Sequence, residues 1–476
     1  MENSDSAASL GLPPLPIALI PVVALIALLS VNVIVFGGDP HIPLLLASVV
    51  AASTALLLGY KWTTLEERLV ESVMVAIKPI LILLTVGVLI GLWIQAGIVP
   101  LLIYYGLLFI SPSVFLPTAC LLCAIVSLSI GSSWSTAGTV GVALMAIGGG
   151  MGIPLPLVAG AVVSGAYFGD KMSPLSETTN LSPAVAGTEL FTHIRHMVYS
   201  TLPPFVLALT IYAVIGFGLH ADGAALADID ALIALLQDHF NLTPLLLIVP
   251  TVVFGMVMMK VDALPSLMVG CIAGGLCAWI FQGASFQELL VTAQVGLSLE
   301  TPSPELNELL SRSGLESMYW TVGLIILAMV FGGIMEAGRM LESMSAAVLK
   351  VARGQKGLLF SVLCSCIGIN LLASDQYLSI VIPGRMYRPM VDEMGLERKN
   401  LSRVLEDGGT VSSPLIFWNT CGAYMASVLG VSAMAYAPYA FFNLAVPVMS
   451  SILIFTGWTI HKTPAAIALE EEEEAA

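Results

Sequence analysis

Long apolar segments alternate with short polar stretches along nearly the whole of this 476-residue chain. The segments Ile17–Val35 and Phe441–Thr459 contain no charged residue. Each approaches the roughly 20 residues that a helix needs to cross about 30 Å of hydrocarbon. The pattern predicts an all-α polytopic membrane protein. Its candidate spans are 17–37, 42–60, 77–96, 98–112, 114–132, 134–149, 155–169, 198–219, 243–259, 263–283, 318–336, 357–373, 376–384, 409–430 and 439–459.

Four of these spans are too short to cross a bilayer completely, namely 98–112, 134–149, 155–169 and 376–384. We expect them to be half-helices or re-entrant hairpins. Irregular backbone at membrane depth is tolerated only where it is buried in protein or lines a watery cavity. Broken or re-entrant helices are therefore expected to meet at a site near the middle of the membrane.

Two polar, carboxylate-bearing tracts interrupt the apolar pattern, at Asp170–Asn180 and at Glu406–Thr420. Both break the helical pattern with Gly or Pro, and both carry hydroxyl and amide groups beside acids. A membrane transporter needs this combination to remove water from a small cation and to hold the ion. The tracts are the strongest functional signal in the sequence.

The two halves of the chain share a weak internal repeat. Ile94–Gly97 is similar to Met335–Gly338, Ile130-Gly131 to Ile367-Gly368, and Ser173–Leu175 to Ser413–Leu415, at offsets of 241, 237 and 240 residues. Equivalent loops fall on opposite sides of the membrane when the basic residues are placed on one side. The pattern therefore predicts two inverted-topology repeats, which is the common plan of secondary transporters.

This repeat divides the chain into five parts. We expect N-terminal spans and a cytoplasmic loop over 1–76, a first inverted repeat over 77–197 and linking spans with outer loops over 198–317. The second inverted repeat covers 318–460, and an acidic cytoplasmic tail covers 461–476.

The charge distribution sets the expected orientation. Only 10% of the residues are charged, against about 25% in soluble domains. One topology places 16 of the 17 Lys and Arg on a single side and leaves only Arg312 on the other. The positive-inside rule makes that side cytoplasmic, with both termini cytoplasmic. The run Glu470–Glu474 is expected to be a solvated tail.

Several classes of function are excluded by the sequence. It contains no phosphate-cradling glycine motif, hydrolytic triad or nucleic-acid-binding face, and no soluble stretch long enough for a nucleotide-binding domain. We therefore expect a protein that is not an enzyme, uses no cofactor, nucleotide or nucleic acid, and is driven by ion gradients. The expected surroundings are the lipid bilayer, and the sequence allows a homodimer.

Three carboxylates are candidate carriers of the exchanged ions: Asp375, Asp407 and Glu177. Asp375 lies between two apolar runs, where an ionisable residue is a functional-site hypothesis by default. The alternative, which we favour less, is a structural hydrogen bond to a neighbouring broken helix. Asp407 precedes Gly408-Gly409, which lets the backbone open beside it.

Both polar tracts also have structural interpretations. In the second, Glu406 and Asp407 could complement a helix N-terminus that faces water. In the first, the adjacent Asp170 and Lys171 could form an ordinary loop ion pair, and the hydroxyl groups could cap the next helix.

Neutral oxygen ligands for a hard cation such as Na⁺ are abundant in and near the tracts. The candidates are Ser173, Thr178, Thr179, Asn180, Ser374, Thr410, Ser413, Asn419 and Thr420. We expect Na⁺ itself to be held by Asp375, Asp407, Thr178, Asn180 and Asn419.

These motifs resemble the NhaC family of sodium/proton antiporters. The resemblance rests on Gly169–Asn180, Ser374–Leu378, Leu405–Thr410 and Trp418–Ala423, and it covers roughly residues 75–450. It implies exchange of cytoplasmic Na⁺, and often Li⁺, for external H⁺ across the cytoplasmic (inner) membrane, in the service of pH homeostasis. The alternative is a Na⁺- or H⁺-coupled carboxylate exchanger of the malate/lactate type, which close relatives of the family represent. No Arg lies inside the apolar runs to clamp a dicarboxylate, which favours cation exchange.

Overall fold

The computed structural model describes residues 11–36, 38–109, 111–218, 233–259, 261–297, 314–351 and 353–464. The acidic run Glu470–Glu474 and Arg312 lie outside these residues. Within the described ranges the chain is helical, and the only β-type pairing there is an isolated antiparallel bridge between Leu396 and Lys462. The predicted all-α class is confirmed.

The first part of the chain forms eight α-helices and two π-helical segments. The α-helices are α1 (Leu15–Ala18), α2 (Ile20–Leu29), α3 (His41–Leu57), α4 (Trp62–Gln95), α5 (Ile98–Phe109), α6 (Pro112–Ile130), α7 (Ser133–Thr136) and α8 (Val142–Gly150). The π-helical segments are Ser30–Val35 and Ala137–Gly141, the second of which joins α7 to α8.

The middle part contains α9 (Leu155–Met172), α10 (Glu177–Ala186), α11 (Leu190–Gly218), α12 (Ile233–His239), α13 (Ile248–Met258), α14 (Ala263–Gln282) and α15 (Phe286–Val295). The last part contains α16 (Tyr319–Ala337), α17 (Met340–Val351), α18 (Gly354–Leu372), α19 (Gln376–Glu393), α20 (Arg398–Ser412), α21 (Thr420–Leu429), α22 (Ala433–Tyr436) and α23 (Phe441–Thr456). Short 3₁₀ turns occupy Pro244–Leu247, Glu316–Met318, Ser413–Leu415 and Ala437–Tyr439.

Seven helices in the described residues are long and apolar enough to cross a membrane, or up to nine if each of two sharply bent helix pairs counts as one span. The bent pairs are Ile233–His239 with Pro244–Met256, at 94°, and Thr420–Leu429 with Ala433–Tyr439, at 89°. The protein is therefore a multi-pass helical membrane protein with broken helices.

Several of the predicted spans differ from the structure. The span predicted over 77–96 is part of α4, which already begins at Trp62, and the one over 134–149 is divided between α7, a π-helical segment and α8. The apolar run at 376–384 was expected to be a short segment, but α19 continues to Glu393 and includes Pro383 and Pro389 within the helix. The run at 409–430 was expected to be one span, but it divides between α20 and α21. The 3₁₀ turn at Ser413–Leu415 ends the first helix, and the Asn419 side chain caps the second.

Helices α6 and α9 pack with their backbones almost in contact, and this packing determines the position of the first polar tract. A Cβ atom at Gly165 would lie 2.0 Å from the Cys120 carbonyl oxygen, and one at Gly169 would lie 2.4 Å from that of Ala124. Small residues permit such close approach between membrane helices. The C-terminal end of α9 is thereby fixed beside the break that follows α6.

Candidate ion-binding site

A cavity of about 520 Å³ collects residues from both polar tracts and from two helix breaks. We call it the acidic cavity, because four carboxyl side chains and one lysine are among its lining residues. It is lined by Val75, Ala76, Lys78, Ile82, Gly131, Ser132, Trp134, Ser135, Asp170, Leu175, Ser176, Glu177, Thr178, Val261, Asp262, Asp375, Gln376, Tyr377 and Thr420. Of the twelve residues that the sequence suggests for the site, this set includes Asp375, Glu177, Thr178 and Thr420.

Asp375 lies in the break between α18 and α19. The preceding residue, Ser374, has a φ of 58°, and this left-handed conformation turns the chain so that Asp375 becomes the N-cap of α19. Oδ1 of Asp375 accepts hydrogen bonds from the backbone N–H groups of Tyr377 and Leu378, at 2.9 and 3.0 Å. The residue is only 4% exposed. Among the described residues, hydrogen bonds reach Oδ1 alone, so Oδ2 is available to the cavity.

Asp170 is the second buried carboxylate in the wall of the acidic cavity, 6% exposed at the end of α9. Its Oδ2 accepts from the Ser133 hydroxyl at 2.6 Å and from the Ser133 backbone N–H at 3.2 Å. Its Oδ1 accepts from the Ser176 hydroxyl at 2.5 Å. The sequence predicted a functional role for the tract Asp170–Asn180, but for Asp170 itself it suggested only a loop ion pair with Lys171. That pair is not formed, since the two side chains bind different partners.

Glu177 lies at the more open part of the cavity, with 68% of its side chain exposed. It accepts a hydrogen bond from the Tyr377 hydroxyl at 2.6 Å, and Lys78 Nζ lies 3.8 Å from its other oxygen. The adjacent Thr178 is buried, with its hydroxyl 3.2 Å from that of Ser176. Glu177 thus joins the first tract to the Asp375 break, but it already has a basic neighbour.

Three other hydroxyl and amide groups of the first tract bind the backbone around them. The Ser173 hydroxyl accepts from the Leu175 N–H at 3.2 Å. Thr179 donates to the carbonyl oxygens of residues 170 and 171 at 3.0 Å, and Asn180 donates to those of residues 174 and 176 at 2.8 and 2.7 Å. These side chains hold the loop in shape and are not among those that line the cavity.

Asp407 lies in a separate, fully buried cluster that does not line the acidic cavity. Its Oδ1 accepts from Lys171 Nζ at 2.7 Å and from the Ser200 hydroxyl at 2.8 Å, and Arg403 Nε lies 3.7 Å from Oδ2. The neighbouring Glu406 accepts a hydrogen bond from Ser182. The structure therefore places this predicted ion carrier between two protein cations.

The other predicted ligands of the second tract form a hydrogen-bonded break between α20 and α21. The Ser413 hydroxyl donates to the Thr410 carbonyl at 2.7 Å. Asn419 caps α21 through the Cys421 N–H at 3.0 Å and donates to Asn370 at 3.1 Å. The Thr420 backbone N–H donates to the Ser374 carbonyl at 2.9 Å, which ties this break to the Asp375 break.

Sequence reasoning did not select several polar residues of the cavity wall as individual ligands: Ser132, Ser135, Asp170 and Gln376. The polar tract from Gly131 to Thr139 was the available signal for two of them, Ser132 and Ser135. Ser132 is the N-cap of α7, where its hydroxyl accepts from the Ser135 N–H at 3.2 Å, and Gly131 before it has a φ of 77°. The first break therefore has the same construction as the Ser374-Asp375 break.

No group of three or more His, Cys, Asp or Glu is placed to hold a metal ion in the ranges that the structure describes. Hydroxyl groups and single carboxylates dominate the acidic cavity instead. Such a wall suits a weakly held, transported cation with oxygen ligands better than a resident transition metal.

A second cavity, of about 1100 Å³ and mostly apolar, is lined by later residues of α21. Thr420 at the start of α21 lines the acidic cavity, whereas Ala423 and Ala426 line the second one. Trp134 stacks on Tyr424 of α21 with ring centroids 4.1 Å apart, and the Tyr424 hydroxyl donates to the Trp134 carbonyl at 3.0 Å. This stacked pair joins the wall of the acidic cavity, which Trp134 lines, to α21.

Comparison with known proteins gives one family match. Residues 165–458 match a family described as the Na⁺/H⁺ antiporter family. The matched segment contains both polar tracts and the Asp375 break.

Three relatives cover most of the chain. The Na⁺/H⁺ antiporter NhaC of Bacillus subtilis is 38% identical over 418 residues, covering 88% of this chain and 92% of the relative. The arginine/ornithine antiporter ArcD of Halobacterium salinarum is 37% identical over 462 residues, covering 96% and 95%. The malate-2H⁺/Na⁺-lactate antiporter of Bacillus subtilis is 36% identical over 420 residues, covering 87% and 90%. All three are named as antiporters, with different cargoes.

Proposed function

The chain belongs to the Na⁺/H⁺ antiporter family, and from that premise we propose that it exchanges cytoplasmic Na⁺ for external H⁺. The two ions compete for buried carboxylates in the acidic cavity. Li⁺ is the expected alternative cargo, because it is a hard monovalent cation with the same preference for oxygen ligands.

The environment of the Asp375 carboxylate is the observation that carries this proposal. The carboxylate is buried, its Oδ1 is fixed by two backbone N–H groups, and its Oδ2 is available to the cavity. A carboxylate that is buried without a paired cation is strongly unfavourable, so it binds either a proton or a cation from the cavity. A protonated carboxyl group cannot compensate for the dehydration of Na⁺, and a bound Na⁺ opposes protonation. Mutual exclusion of the two ions is the basis of exchange.

We also propose that the two halves are inverted repeats. The only non-glycine residues with positive φ in the described ranges are Arg339, at 51°, and Ser374, at 58°. Each follows a helix at the position where the first half has a positive-φ glycine, Gly97 at 79° and Gly131 at 77°. The offsets are 242 residues (339 − 97) and 243 residues (374 − 131), close to the offsets of the sequence repeat. The pairing of Gly131 with Ser374 replaces that of Gly131 with Gly368, since Gly368 lies within α18.

In this arrangement the protein lies in the cytoplasmic membrane with both termini in the cytoplasm. The basic loops support that orientation through the positive-inside rule. The acidic cavity, which includes Lys78 and Asp262 at its edge, would then open towards the cytoplasm and receive Na⁺ from there. The apolar cavity beyond α21 would face outward, so the Trp134–Tyr424 pair would separate the two sides.

The charge of the acidic cavity weakens the alternative of carboxylate exchange. Asp170, Glu177, Asp262 and Asp375 line it, with Lys78 as the single basic residue in the described lining. A dicarboxylate such as malate would enter a wall with an excess of negative charge. Like charges at close range repel, and the low dielectric of the interior strengthens the repulsion.

A cationic amino acid is a second candidate cargo, since one relative is an arginine/ornithine antiporter. The same excess of negative charge favours it, and a cavity of about 520 Å³ exceeds what a single dehydrated ion needs. Tyr377 and Trp134 offer aromatic surface in the same wall, on which a guanidinium group can stack.

The test is proton movement in liposomes that contain the purified protein and a trapped pH dye. Addition of Na⁺ or Li⁺ alone should move protons, while K⁺, malate or lactate should not. Asp375→Asn should reduce the Na⁺-driven signal at least about 100-fold without loss of folding, because asparagine is also a favoured N-cap.

Asp392→Asn, which removes a surface ion pair with Arg398, is the matched control and should exchange normally. A response to arginine but not to Na⁺ would favour the second candidate, and normal exchange by Asp375→Asn would rule out the proposed role of Asp375.

A further inference from the structure

The carboxylates around the acidic cavity differ in whether the protein supplies their counter-charge. Glu177 has Lys78, and the nearby Asp407 has Lys171 and Arg403. Asp375 and Asp170 have only hydroxyl and backbone N–H donors among the described residues. Asp170 is thus the second buried carboxylate of this cavity that has no basic partner.

The surroundings of Asp170 increase its need for a counter-ion. Lys171, next to it in the sequence, extends to Asp407 instead. Glu177 and Asp375 line the same cavity as Asp170, and both are acidic. Burial of an unpaired charge is strongly unfavourable even after relaxation of the surroundings. The compensating charge must therefore come from the cavity, as a proton or as a cation.

We infer that Asp170, held by Ser133 and Ser176, is a second ion-binding carboxylate, and that it and Asp375 together release two protons for each Na⁺ they admit. This inference rests on the proposed function. With two protons bound, both carboxyl groups are neutral. With one Na⁺ bound, the pair carries one net negative charge. A full cycle moves two protons inward and one Na⁺ outward, so one positive charge enters and an inside-negative potential drives Na⁺ extrusion.

The deciding measurement is the proton-to-sodium coupling ratio of the full-length protein in liposomes. Valinomycin with a K⁺ gradient sets the membrane potential, and the Na⁺ and pH gradients are varied until net flux stops. The wild-type protein should balance at two protons per Na⁺, and an inside-negative potential should accelerate Na⁺ extrusion. Asp170→Asn should retain Na⁺-driven proton movement at one proton per Na⁺ and lose its dependence on potential.

A wild-type ratio of one, or a ratio of two in Asp170→Asn, would overturn the inference while leaving Na⁺/H⁺ exchange intact. If the wild-type protein moves no protons in response to Na⁺, the proposed function fails, and the inference fails with it.

Ser133→Ala keeps the test decisive if Asp170→Asn does not fold. It retains the carboxylate but removes the 2.6 Å hydrogen bond that stabilises its charged form. Protons should then compete better, so the KM for Na⁺ should rise about three- to tenfold, most strongly at the acidic end of the active range, with the coupling ratio unchanged. Ser127→Ala is the matched control, because its buried hydroxyl in α6 donates to α9, the helix that carries Asp170, through the Ala166 carbonyl at 2.6 Å. An unchanged KM for Na⁺ in Ser133→Ala would overturn the role of Asp170.

Discussion

The Nζ of Lys171 lies 2.7 Å from Oδ1 of Asp407, which is 236 positions further along the chain, and both side chains are fully buried. The contact joins the first polar tract to the second through α9 and α20. Ser200 of α11 donates to the same oxygen, so three helices converge on one carboxylate. Asp407 therefore has a protein cation where the sequence suggested a transported one, and its structural and ion-binding roles can be separated by mutation.

Removal of one partner of this pair should be strongly destabilising. Lys171→Met leaves Asp407 and Glu406 buried with Arg403 as their remaining cation, and the expected loss is about 3–5 kcal/mol. The double variant Lys171→Met/Asp407→Asn keeps one buried cation and one buried anion, so it should recover much of that loss. Thermal unfolding in detergent measures both effects. A single variant as stable as the wild type would contradict the prediction, and normal exchange by the stable double variant would remove Asp407 from the ion site.

The sequence was sufficient for the membrane class and for the position of the key break. Apolar runs predicted the helical spans, and an acid between two such runs marked Asp375. The residue types of the first tract supplied candidate oxygen ligands, but they did not show which group each side chain would bind. Thr179 and Asn180 bind local carbonyl groups, whereas Ser176 reaches Asp170. The direction of each side chain depends on the turn that its residue occupies, and composition does not specify that turn.

The long-range ion pair between Lys171 and Asp407 could not be predicted from the sequence either. Asp170 and Lys171 are adjacent and opposite in charge, and a local ion pair was the simplest expectation. Successive residues of a helix point about 100° apart, so one side chain reaches Ser133 and the other reaches Asp407. The choice follows from how α6, α9 and α20 pack, which a single sequence without aligned relatives does not determine.

Close packing of α6 and α9 predicts a position where a single methyl group is not tolerated. Gly165→Ala would place its Cβ 2.0 Å from the Cys120 carbonyl oxygen, and rigid backbone on both sides leaves little room to adjust. We expect a loss of roughly 2 kcal/mol or more, in the range of overpacked cores, with reduced exchange because Asp170 would move. Gly275→Ala in α14 is the control, since its Cβ would meet nothing within 4 Å. Melting in detergent should show a large decrease for Gly165→Ala and no decrease for Gly275→Ala; equal melting temperatures would refute the packing argument.

Gly131 and Ser374, the two residues with positive φ at the helix breaks, should respond in opposite ways to substitution. Gly131→Ala puts a Cβ at a φ of 77° and 2.6 Å from the Leu175 carbonyl carbon, so it should lose about 1–2 kcal/mol from the conformation alone. Ser374→Gly relieves the same conformation and should be at least as stable as the wild type. Ser374 is not among the residues that line the acidic cavity. The KM of the Ser374→Gly variant for Na⁺ should therefore stay within about twofold of the wild-type value. Stability is measured by melting and KM by the liposome assay, and a tenfold rise in KM would restore Ser374 as an ion ligand.

The stacked pair Trp134–Tyr424 predicts where the protein prevents uncoupled leakage. Tyr424 belongs to α21, which has the acidic cavity at its start and the apolar cavity along its later turns. Tyr424→Ala removes the ring that covers Trp134 at 4.1 Å, so water and Na⁺ should pass between the cavities without proton exchange. Efflux of labelled Na⁺ from liposomes at equal pH on both sides should rise at least about tenfold. Tyr424→Phe keeps the ring and loses only the 3.0 Å hydrogen bond to the Trp134 carbonyl, so its Na⁺ efflux should match the wild type. If Na⁺ efflux from liposomes that contain Tyr424→Ala does not rise, other side chains form the barrier.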